Sequence, residues 1–326
     1  MVAVQIARRS NARLAAVPQG LVALFIGATS GIGQSALQQF AEHAQAPRIY
    51  TVARPASVPA HEAFLATLRQ TNPGGTYTLI TADISLVSEV DKVVHSVTQE
   101  TKLDLLVMSP GFMAFEGRGD TREGLDPSMT TRYYSRLRAL EQLAPLLAAG
   151  AGRVLSVLAG GMEGPLREND LDLRAPGAWS FWNASVHAAT MGTLALERFA
   201  RANPGLSIVH SFPGPVETPG LERAPKFGMS PPNAISQADG GALALFLAIS
   251  DRYAVHPGLV PVPDGLDNAK KTSGGIFLVD AKGESVDNER VLADMRARSV
   301  DDIVWKHTQN VFANCATKVA SSKDEL

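Results

Sequence analysis

Short apolar segments alternate with amphipathic segments over residues 21–279 of this chain. The first apolar segment, residues 21–26, has no polar side chain, which is typical of a strand buried on both faces. Further strands are predicted at residues 49–52, 76–81, 103–108, 153–158, 206–212 and 275–279. Helices are predicted at residues 34–43, 61–70, 87–97, 130–147, 179–201 and 237–249, and from about residue 288. This alternation predicts an α/β fold, in which helices cover both faces of a doubly wound parallel sheet.

Proline and glycine concentrate at residues 203–232 and 257–275, between predicted elements. Such segments are typical of loops at the edge of a sheet, so one domain is predicted rather than two. The chain divides into an N-terminal extension (residues 1–20), the domain (residues 21–314) and a tail (residues 315–326).

The composition is that of a globular protein, with 45% hydrophobic and 19% charged residues among 326 and a net charge of −2. This balance provides no electrostatic reason to expect nucleic acid or an anionic membrane as a partner. No apolar run reaches the roughly 18 residues that span a bilayer. Cys315 is the single cysteine, so no intrachain disulfide can form, and a packed thiol is favoured over a reactive one.

Two terminal features bear on location. Arg8, Arg9 and Arg13 precede the first acidic residue, Glu42, a weak similarity to a transit peptide. The last four residues, Lys-Asp-Glu-Leu at 323–326, match an ER-retrieval signal, which is recognised only in the lumen. Because no entry signal precedes it, a cytoplasmic location with an unused tail is predicted.

The strongest local motif is Gly27-Ala28-Thr29-Ser30-Gly31-Ile32-Gly33, between the first predicted strand and helix. Glycines there allow a tight turn, a close approach to a pyrophosphate and packing of the helix against the strand. The free N–H groups at the start of the helix favour phosphate. The motif therefore predicts a dinucleotide site.

With this turn the chain resembles the short-chain dehydrogenase/reductase superfamily, whose pattern Thr-Gly-x3-Gly-x-Gly it matches except for Ile26 at the leading threonine. Three further family marks follow in order: Asp83-Ile84 after the third strand, Ser109-Pro110-Gly111 after the fourth, and Pro213-Gly214-x-Val216-x-Thr218 after the sixth. The resemblance implies a Rossmann-type fold with a nicotinamide cofactor. It implies cofactor contacts from Gly27, Thr29, Ser30, Gly31, Ile32, Gly33, Asp83, Ile84, Ser109, Gly111, Pro213, Gly214, Val216 and Thr218.

Cofactor preference depends on the end of the second strand, where an acidic residue would bind the ribose 2′-hydroxyl and a cation a 2′-phosphate. The chain has Arg54 there and no neighbouring carboxylate, so NADP(H) is predicted over NAD(H). No metal site is predicted.

The family's catalytic residues are replaced. In place of its Tyr-x3-Lys pair, which shares one helical face, the chain has Asn183 and His187. The position of the family's serine falls near Ala159, and that of its helix asparagine near Arg132 or Tyr133. None of the five tyrosines precedes a lysine by four residues.

Three residues are the candidates for catalysis. His187 titrates near neutrality and could act as acid or base, although a histidine that only packs or bonds ribose is an equal alternative. Asn183 can bond a carbonyl but exchanges no proton. Tyr134 could pair with Arg138, though core packing is the simpler interpretation. Glu163 follows the fifth strand, where a solvated loop carboxylate is the simpler interpretation.

The chain is similar to divergent members of the superfamily in fungal secondary metabolism, through its N-terminal extension and two segments, Tyr-Tyr-Ser-Arg at 133–136 and Thr-Leu-Ala-Leu-Glu at 193–197. This implies a bulky apolar substrate, a mobile lid at residues 215–235, and a homodimer or homotetramer through the two long helices. Three functions stay open: carbonyl/alcohol redox chemistry with atypical proton delivery; a non-redox isomerase, dehydratase or cyclase; and a catalytically silent nucleotide-binding protein.

Overall fold

The computed structural model describes residues 2–324. Seven parallel strands form one sheet in the order β3-β2-β1-β4-β5-β6-β7. Their bounds are β1 Val22–Ile26, β2 Arg48–Ala53, β3 Thr76–Thr81, β4 Leu105–Met108, β5 Arg153–Val157, β6 Ser207–Ser211 and β7 Phe277–Val279. The predicted Rossmann-type α/β fold is confirmed.

Helices cover both faces of the sheet. They are α1 Val4–Ala12, α2 Gly31–His43, α3 Val58–Thr71, α4 Val87–Val97, α5 Pro127–Met129, α6 Ser135–Ala149, α7 Phe181–Ala202, α8 Gln237–Ile249, α9 Glu289–Ala297 and α10 Val300–Asp324. A π-helical turn, Thr130–Tyr134, joins α5 to α6. One apolar core lies between the sheet and α4, α6 and α7, and a second lies between the sheet and α2 and α8. β1 is an interior strand of the sheet and is buried along its whole length, as its apolar sequence requires.

The strand order reverses between β1 and β4, and the carboxyl ends of these strands lie side by side. In an open parallel sheet such a reversal leaves a crevice beyond the strand ends, where ligands bind. The glycine turn follows β1 and Ser109 follows β4, so the fold places both predicted cofactor segments at this crevice.

The N-terminal extension is part of the folded domain. Helix α1 packs against α8, and the buried side-chain amide of Asn11 donates to the carbonyl oxygen of Ala242 at 2.9 Å. Leu14 and Val17 join the core between the sheet and α2. The extension therefore contributes to the domain's core.

At the other end of the chain, α10 packs against α7 and α4. The hydroxyls of Tyr133 and Thr308 are 2.6 Å apart, and the ring of Trp305 packs edge-on against Phe199. Cys315 is buried in this contact, which confirms the predicted packed thiol, and burial raises its pKa to about 12. Of the predicted tail signal, Glu325 and Leu326 lie outside the described residues. None of the described helices has the length and apolar character needed to cross a membrane.

Candidate functional site

The glycine turn is tightly packed against the segment after β4. A Cβ atom on Gly27, whose φ is +87°, would lie 2.3 Å from the backbone nitrogen of Pro110. One on Gly33 would lie 2.2 Å from the Ser109 hydroxyl oxygen and 2.5 Å from the Gly27 carbonyl oxygen. Helix α2 starts within this turn, after Ser30. Its first N–H groups and the positive end of its dipole suit a phosphate, so the turn fits a dinucleotide.

Two other predicted cofactor segments meet the turn. The Ser109 hydroxyl donates to the Gly27 carbonyl oxygen at 3.0 Å. The Cγ2 atom of Thr218 lies 3.3 Å from the place that a Cβ on Gly31 would occupy. Further along the crevice, Gly214 has φ +68°, and Val216 pairs with Ile235 at the base of the predicted lid. Thus the segments that follow β1, β4 and β6 meet at one crevice, as a single cofactor site requires.

The remaining predicted cofactor residues line the same side of the sheet. Arg54 follows β2, is exposed, and forms no ion pair with any described residue. Asp83 follows β3 and accepts from the Ser85 backbone N–H at 3.0 Å, which shapes the turn that contains Ile84. Arg54 is thus available to a ligand.

Asn183 and His187 point toward the segment between β5 and α7. The Asn183 side-chain amide donates to the Ala178 carbonyl oxygen at 2.8 Å. His187 Nε2 accepts from the Arg167 backbone N–H at 3.1 Å, and Nδ1 lies 3.1 Å from the Leu171 carbonyl oxygen. These bonds require a neutral ring with its proton on Nδ1, and burial lowers the pKa of His187. Both nitrogens are engaged by backbone, so a role in proton transfer stays a prediction that needs these bonds to open.

Tyr134 and Arg138 do not form the predicted pair. The Tyr134 hydroxyl is buried and bonds His307 Nε2 at 2.8 Å and Asp172 at 3.3 Å, and burial raises its pKa well above the ordinary value. Arg138 instead bonds Asp91 through two nitrogens. The two side chains are held by different partners, which favours the core-packing interpretation of Tyr134.

Sequence reasoning missed the role of Arg136, a fully buried cation at the carboxyl ends of β4 and β5. Its guanidinium donates to a side-chain hydroxyl and to several backbone carbonyl oxygens. The partners are the Ser156 hydroxyl and the carbonyl oxygens of Thr131, Met108, Val157 and Pro110. Burial lowers its pKa to about 9, so it remains charged at neutral pH. Arg136 thus ties together the strand ends that form the floor of the crevice.

Arg132 lies one helical turn earlier, in the π-helical turn, and the predicted position of the family's asparagine falls near Arg132 or Tyr133. Its Nη1 donates to the Ser185 hydroxyl at 3.0 Å and its Nη2 to the Phe112 carbonyl oxygen at 2.8 Å. The guanidinium carbon lies 5.4 Å from the centre of the Phe181 ring. The α7 residue linked to the segment after β4 is therefore Ser185, two positions from the predicted Asn183.

A buried polar chain links β6 to the segment after β5. His210 Nε2 accepts from the Ala159 backbone N–H at 3.3 Å, and its Nδ1 lies 2.9 Å from the Thr193 hydroxyl oxygen. Thr193 in turn donates to Glu163 at 2.6 Å. Glu163 is buried and also accepts from Asn288, so the expectation of a solvated loop carboxylate was wrong.

We expect His210 to make stability depend on pH. Burial lowers its pKa to about 4 in the folded chain, whereas the unfolded chain takes up this proton near pH 6.5. The free energy of unfolding should therefore be insensitive to this group above pH 6.5 and fall as the pH drops from 6.5 to 4, by up to about 3 kcal/mol. Urea unfolding at pH 7.5 and 5.0 measures this loss. It should shrink in a His210→Gln variant, and an equal loss in both proteins would contradict the assignment.

Comparisons with known proteins agree with this architecture. The chain is 61% identical, over the whole of both chains, to the NmrA-like family domain-containing oxidoreductase notO of Aspergillus sp. (strain MF297-2). It is 29% identical, over 95% of this chain and 98% of the other, to the short-chain dehydrogenase/reductase SAT2 of Stachybotrys chartarum. A short-chain dehydrogenase from Burkholderia cenocepacia J2315, solved in complex with NADP, superposes with a TM-score of 0.52 at 22% identity, covering 71% of this chain and 91% of that one. No family model matches the chain.

Proposed function

The chain belongs to the short-chain dehydrogenase/reductase superfamily, and from this premise we propose that it is an NADP(H)-dependent oxidoreductase with atypical proton delivery. Its substrate would be a bulky apolar small molecule of fungal secondary metabolism. The observation that carries the proposal is the intact crevice, in which Gly33, Ser109 and Thr218 meet around the start of α2. Relatives named as oxidoreductases favour redox chemistry over an isomerase, a dehydratase, a cyclase or a silent binding protein.

The residues of the crevice divide the work of binding. The start of α2 would hold the pyrophosphate, Arg54 the 2′-phosphate, and the segment around Pro213 and Thr218 the nicotinamide end. When bound, NADP(H) supplies or accepts a hydride. Arg136 ties together the ends of β4 and β5, which form the floor of the crevice.

Redox turnover is tested by following NADPH absorbance at 340 nm while the purified chain acts on a panel of apolar ketones and quinones, with product mass recorded in parallel. We expect NADPH oxidation with a mass gain of two hydrogens in the product. A mass-neutral conversion that leaves NADPH unoxidised would instead support the isomerase or cyclase alternative.

Cofactor preference should depend on Arg54. Arg54→Ala removes the cation that would pair with the 2′-phosphate, and a charge-assisted bond contributes about 1.5–3 kcal/mol, or roughly 10- to 150-fold in affinity. The dissociation constant of NADPH should rise by that factor while that of NADH stays within about twofold, as measured by nucleotide fluorescence. Arg290→Ala, on α9 and outside both the predicted cofactor segments and the lid, is the matched control for loss of an exposed arginine. Equal losses for NADPH and NADH would contradict the role.

An aromatic surface beside Arg132 suits an apolar substrate. The Phe181 ring lies 4.6 Å from Phe115 and 5.1 Å from Trp182, centre to centre. Phe112 and Trp182 are large apolar side chains that remain exposed. Residues 215–235, with a short 3₁₀ helix at Leu221–Phe227, would form the lid.

The chain should be a monomer. Family resemblance implies pairing through the two long helices, here α6 and α7, but α10 packs along α7 and contacts α6 through the side chains of Gln309 and Phe312. Arg201 and Arg198 on α7 pair with Asp301 and Asp302 of α10. Size-exclusion chromatography with light scattering should give a mass near 34.5 kDa. A dimer whose cross-links join α6 or α7 of two copies would contradict this prediction.

A further inference from the structure

We propose that Arg132 binds a negatively charged oxygen of an apolar, planar substrate, and that Ser185 holds its guanidinium in position. The proposal rests on the oxidoreductase function inferred above, and it assigns a catalytic contact to Arg132, which lies near the position predicted for the family's asparagine. Four observations support it: an unpaired charge, unused hydrogen-bond donors, the local helix geometry and the aromatic surroundings.

The charge of Arg132 lacks a counter-ion. Its side chain is 8% exposed, and neither Arg132 nor Arg136 forms a salt bridge among the described residues. The carboxylate that acts on Arg132 is Asp126, whose Oδ1 accepts from backbone N–H groups at the start of α5 and whose Oδ2 accepts from the Gly119 backbone N–H. A buried cation without a partner is costly, so an anionic oxygen bound beside it would be strongly favoured.

Arg132 also has N–H groups that donate to none of the described residues. A guanidinium carries five N–H donors in a planar fork, and the described bonds of Arg132 use two of them, to Ser185 and Phe112. Arg136, in contrast, has five described acceptors. Arg136 is therefore structural, whereas Arg132 can donate to a ligand.

The helix is distorted where Arg132 leaves it. The Ser135 backbone N–H bonds the carbonyl oxygen of Thr130, five residues back, and such π-helical turns occur frequently at functional sites. The turn lies beside the segment after β4, where Gly111 approaches Arg132: a Cβ on Gly111 would lie 3.6 Å from Arg132 Cγ. This places the guanidinium at the crevice, beside the Ser109-to-Gly111 segment.

The aromatic side chains near Arg132 indicate what the rest of the ligand is like. Phe181 stacks on the guanidinium, Phe115 and Trp182 flank Phe181, and Trp182 is 66% exposed. A cation stacked on one aromatic ring, with two further rings beside that ring, suits a flat apolar molecule that carries a single anionic oxygen. The site therefore fits a conjugated or aromatic substrate better than a sugar or a polyol.

The anionic oxygen has two possible sources. The substrate carries it in the ground state, as a carboxylate or phenolate, or it develops on a carbonyl oxygen during reduction. In the second case a C–H bond of NADPH would break as its hydride forms a C–H bond at the carbonyl carbon, the C=O π pair would move to oxygen, water would supply the proton, and NADP⁺ would remain. Arg132 would stabilise the oxyanion until that proton arrives.

The experiment compares wild type, Arg132→Gln and Arg132→Lys, with Arg198→Gln as the control for loss of an exposed arginine. Calorimetry on the NADP⁺-saturated protein measures binding of 2-naphthoate and its neutral analogue 2-naphthamide. Reduction of 9,10-phenanthrenequinone gives kcat and KM. NADPH titration and thermal unfolding show which variants fold. If both Arg132 variants fail to fold, Ser185→Ala tests the site instead, because it keeps the guanidinium and removes only its hydroxyl partner.

A ground-state anion predicts that wild type binds 2-naphthoate at least about tenfold tighter than 2-naphthamide, and that Arg132→Gln loses this preference. A developing oxyanion predicts equal binding, with kcat lowered about 100-fold in Arg132→Gln at unchanged KM and partly restored by added guanidinium. Ser185→Ala should weaken either effect a few-fold.

The inference would be overturned if the wild-type chain bound neither 2-naphthoate nor 2-naphthamide. It would also be overturned if Arg132→Gln kept both the wild-type binding preference and the wild-type turnover. Failure of wild type to oxidise NADPH, with the naphthoate preference intact, would instead overturn the proposed redox function.

Discussion

Gly27→Ala is expected to lower the free energy of unfolding by about 3–5 kcal/mol and to abolish NADPH binding. The new Cβ would meet three backbone atoms of Ser109 and Pro110 at 2.3–2.6 Å, closer than any real Cβ contact. These atoms cannot retreat easily, because the Ser109 backbone N–H is bonded to Ile26 at 2.9 Å, where β1 and β4 lie side by side. Relief of the clash would separate the two strands at the crevice.

Gly265→Ala is the matched control for this substitution. Gly265 has φ +81°, close to the +87° of Gly27, but a Cβ there would meet nothing within 4 Å. Gly265→Ala should therefore lower the free energy of unfolding by about 1 kcal/mol, which is the effect of placing alanine in the left-handed conformation without any clash. Urea unfolding measures both variants. Equal losses would mean that backbone strain, and not the contact between β1 and β4, accounts for the effect.

Arg136→Met is expected to destabilise the fold by about 3–5 kcal/mol, because it leaves a buried hydroxyl and four carbonyl oxygens without their donor. Because methionine carries no charge, the variant does not have to bury a cation, and this reduces the fall in the free energy of unfolding. Arg136→Lys restores a charge and three donors and should lose less than Arg136→Met.

Arg198→Gln provides the comparison for Arg136, since it removes an exposed ion pair with Asp302 and should cost about 1 kcal/mol or less. Equilibrium unfolding followed by circular dichroism yields all three values. If Arg136→Met matched wild type in stability, the guanidinium would not be the group that holds the ends of β4 and β5.

Apolar patterning predicts the central elements well, because burial on both faces leaves little choice of side chain. The predicted first strand, residues 21–26, differs from β1 by one residue. Apolar patterning predicts interruptions within helices less well. The single helix expected at residues 130–147 starts with a π-helical turn, since apolar spacing does not reveal bonds to the fifth residue back. The helix expected from residue 288 divides at Ser299, whose φ is +54°.

The candidate site was predictable only where glycine spacing determines backbone shape. The sequence favoured His187 for proton exchange because an unperturbed imidazole titrates near neutrality, yet burial lowers the pKa of His187 and its partners are backbone atoms of Arg167 and Leu171. Those contacts depend on how the segment after β5 folds back onto α7, and no pattern of residue types along the chain predicts that conformation. Arg132 and Arg136 appear in the sequence as ordinary helix arginines. Their isolation from carboxylates emerges only in three dimensions.

Titration of the purified full chain with NADPH and NADH, followed by nucleotide fluorescence, tests most directly whether the glycine turn holds a phosphorylated nicotinamide nucleotide. We predict saturable binding, with NADPH at least about tenfold tighter than NADH and with no binding in Gly33→Val, whose side chain would displace Ser109. Absence of NADPH binding by the wild-type chain, or unchanged binding by Gly33→Val, would contradict the account.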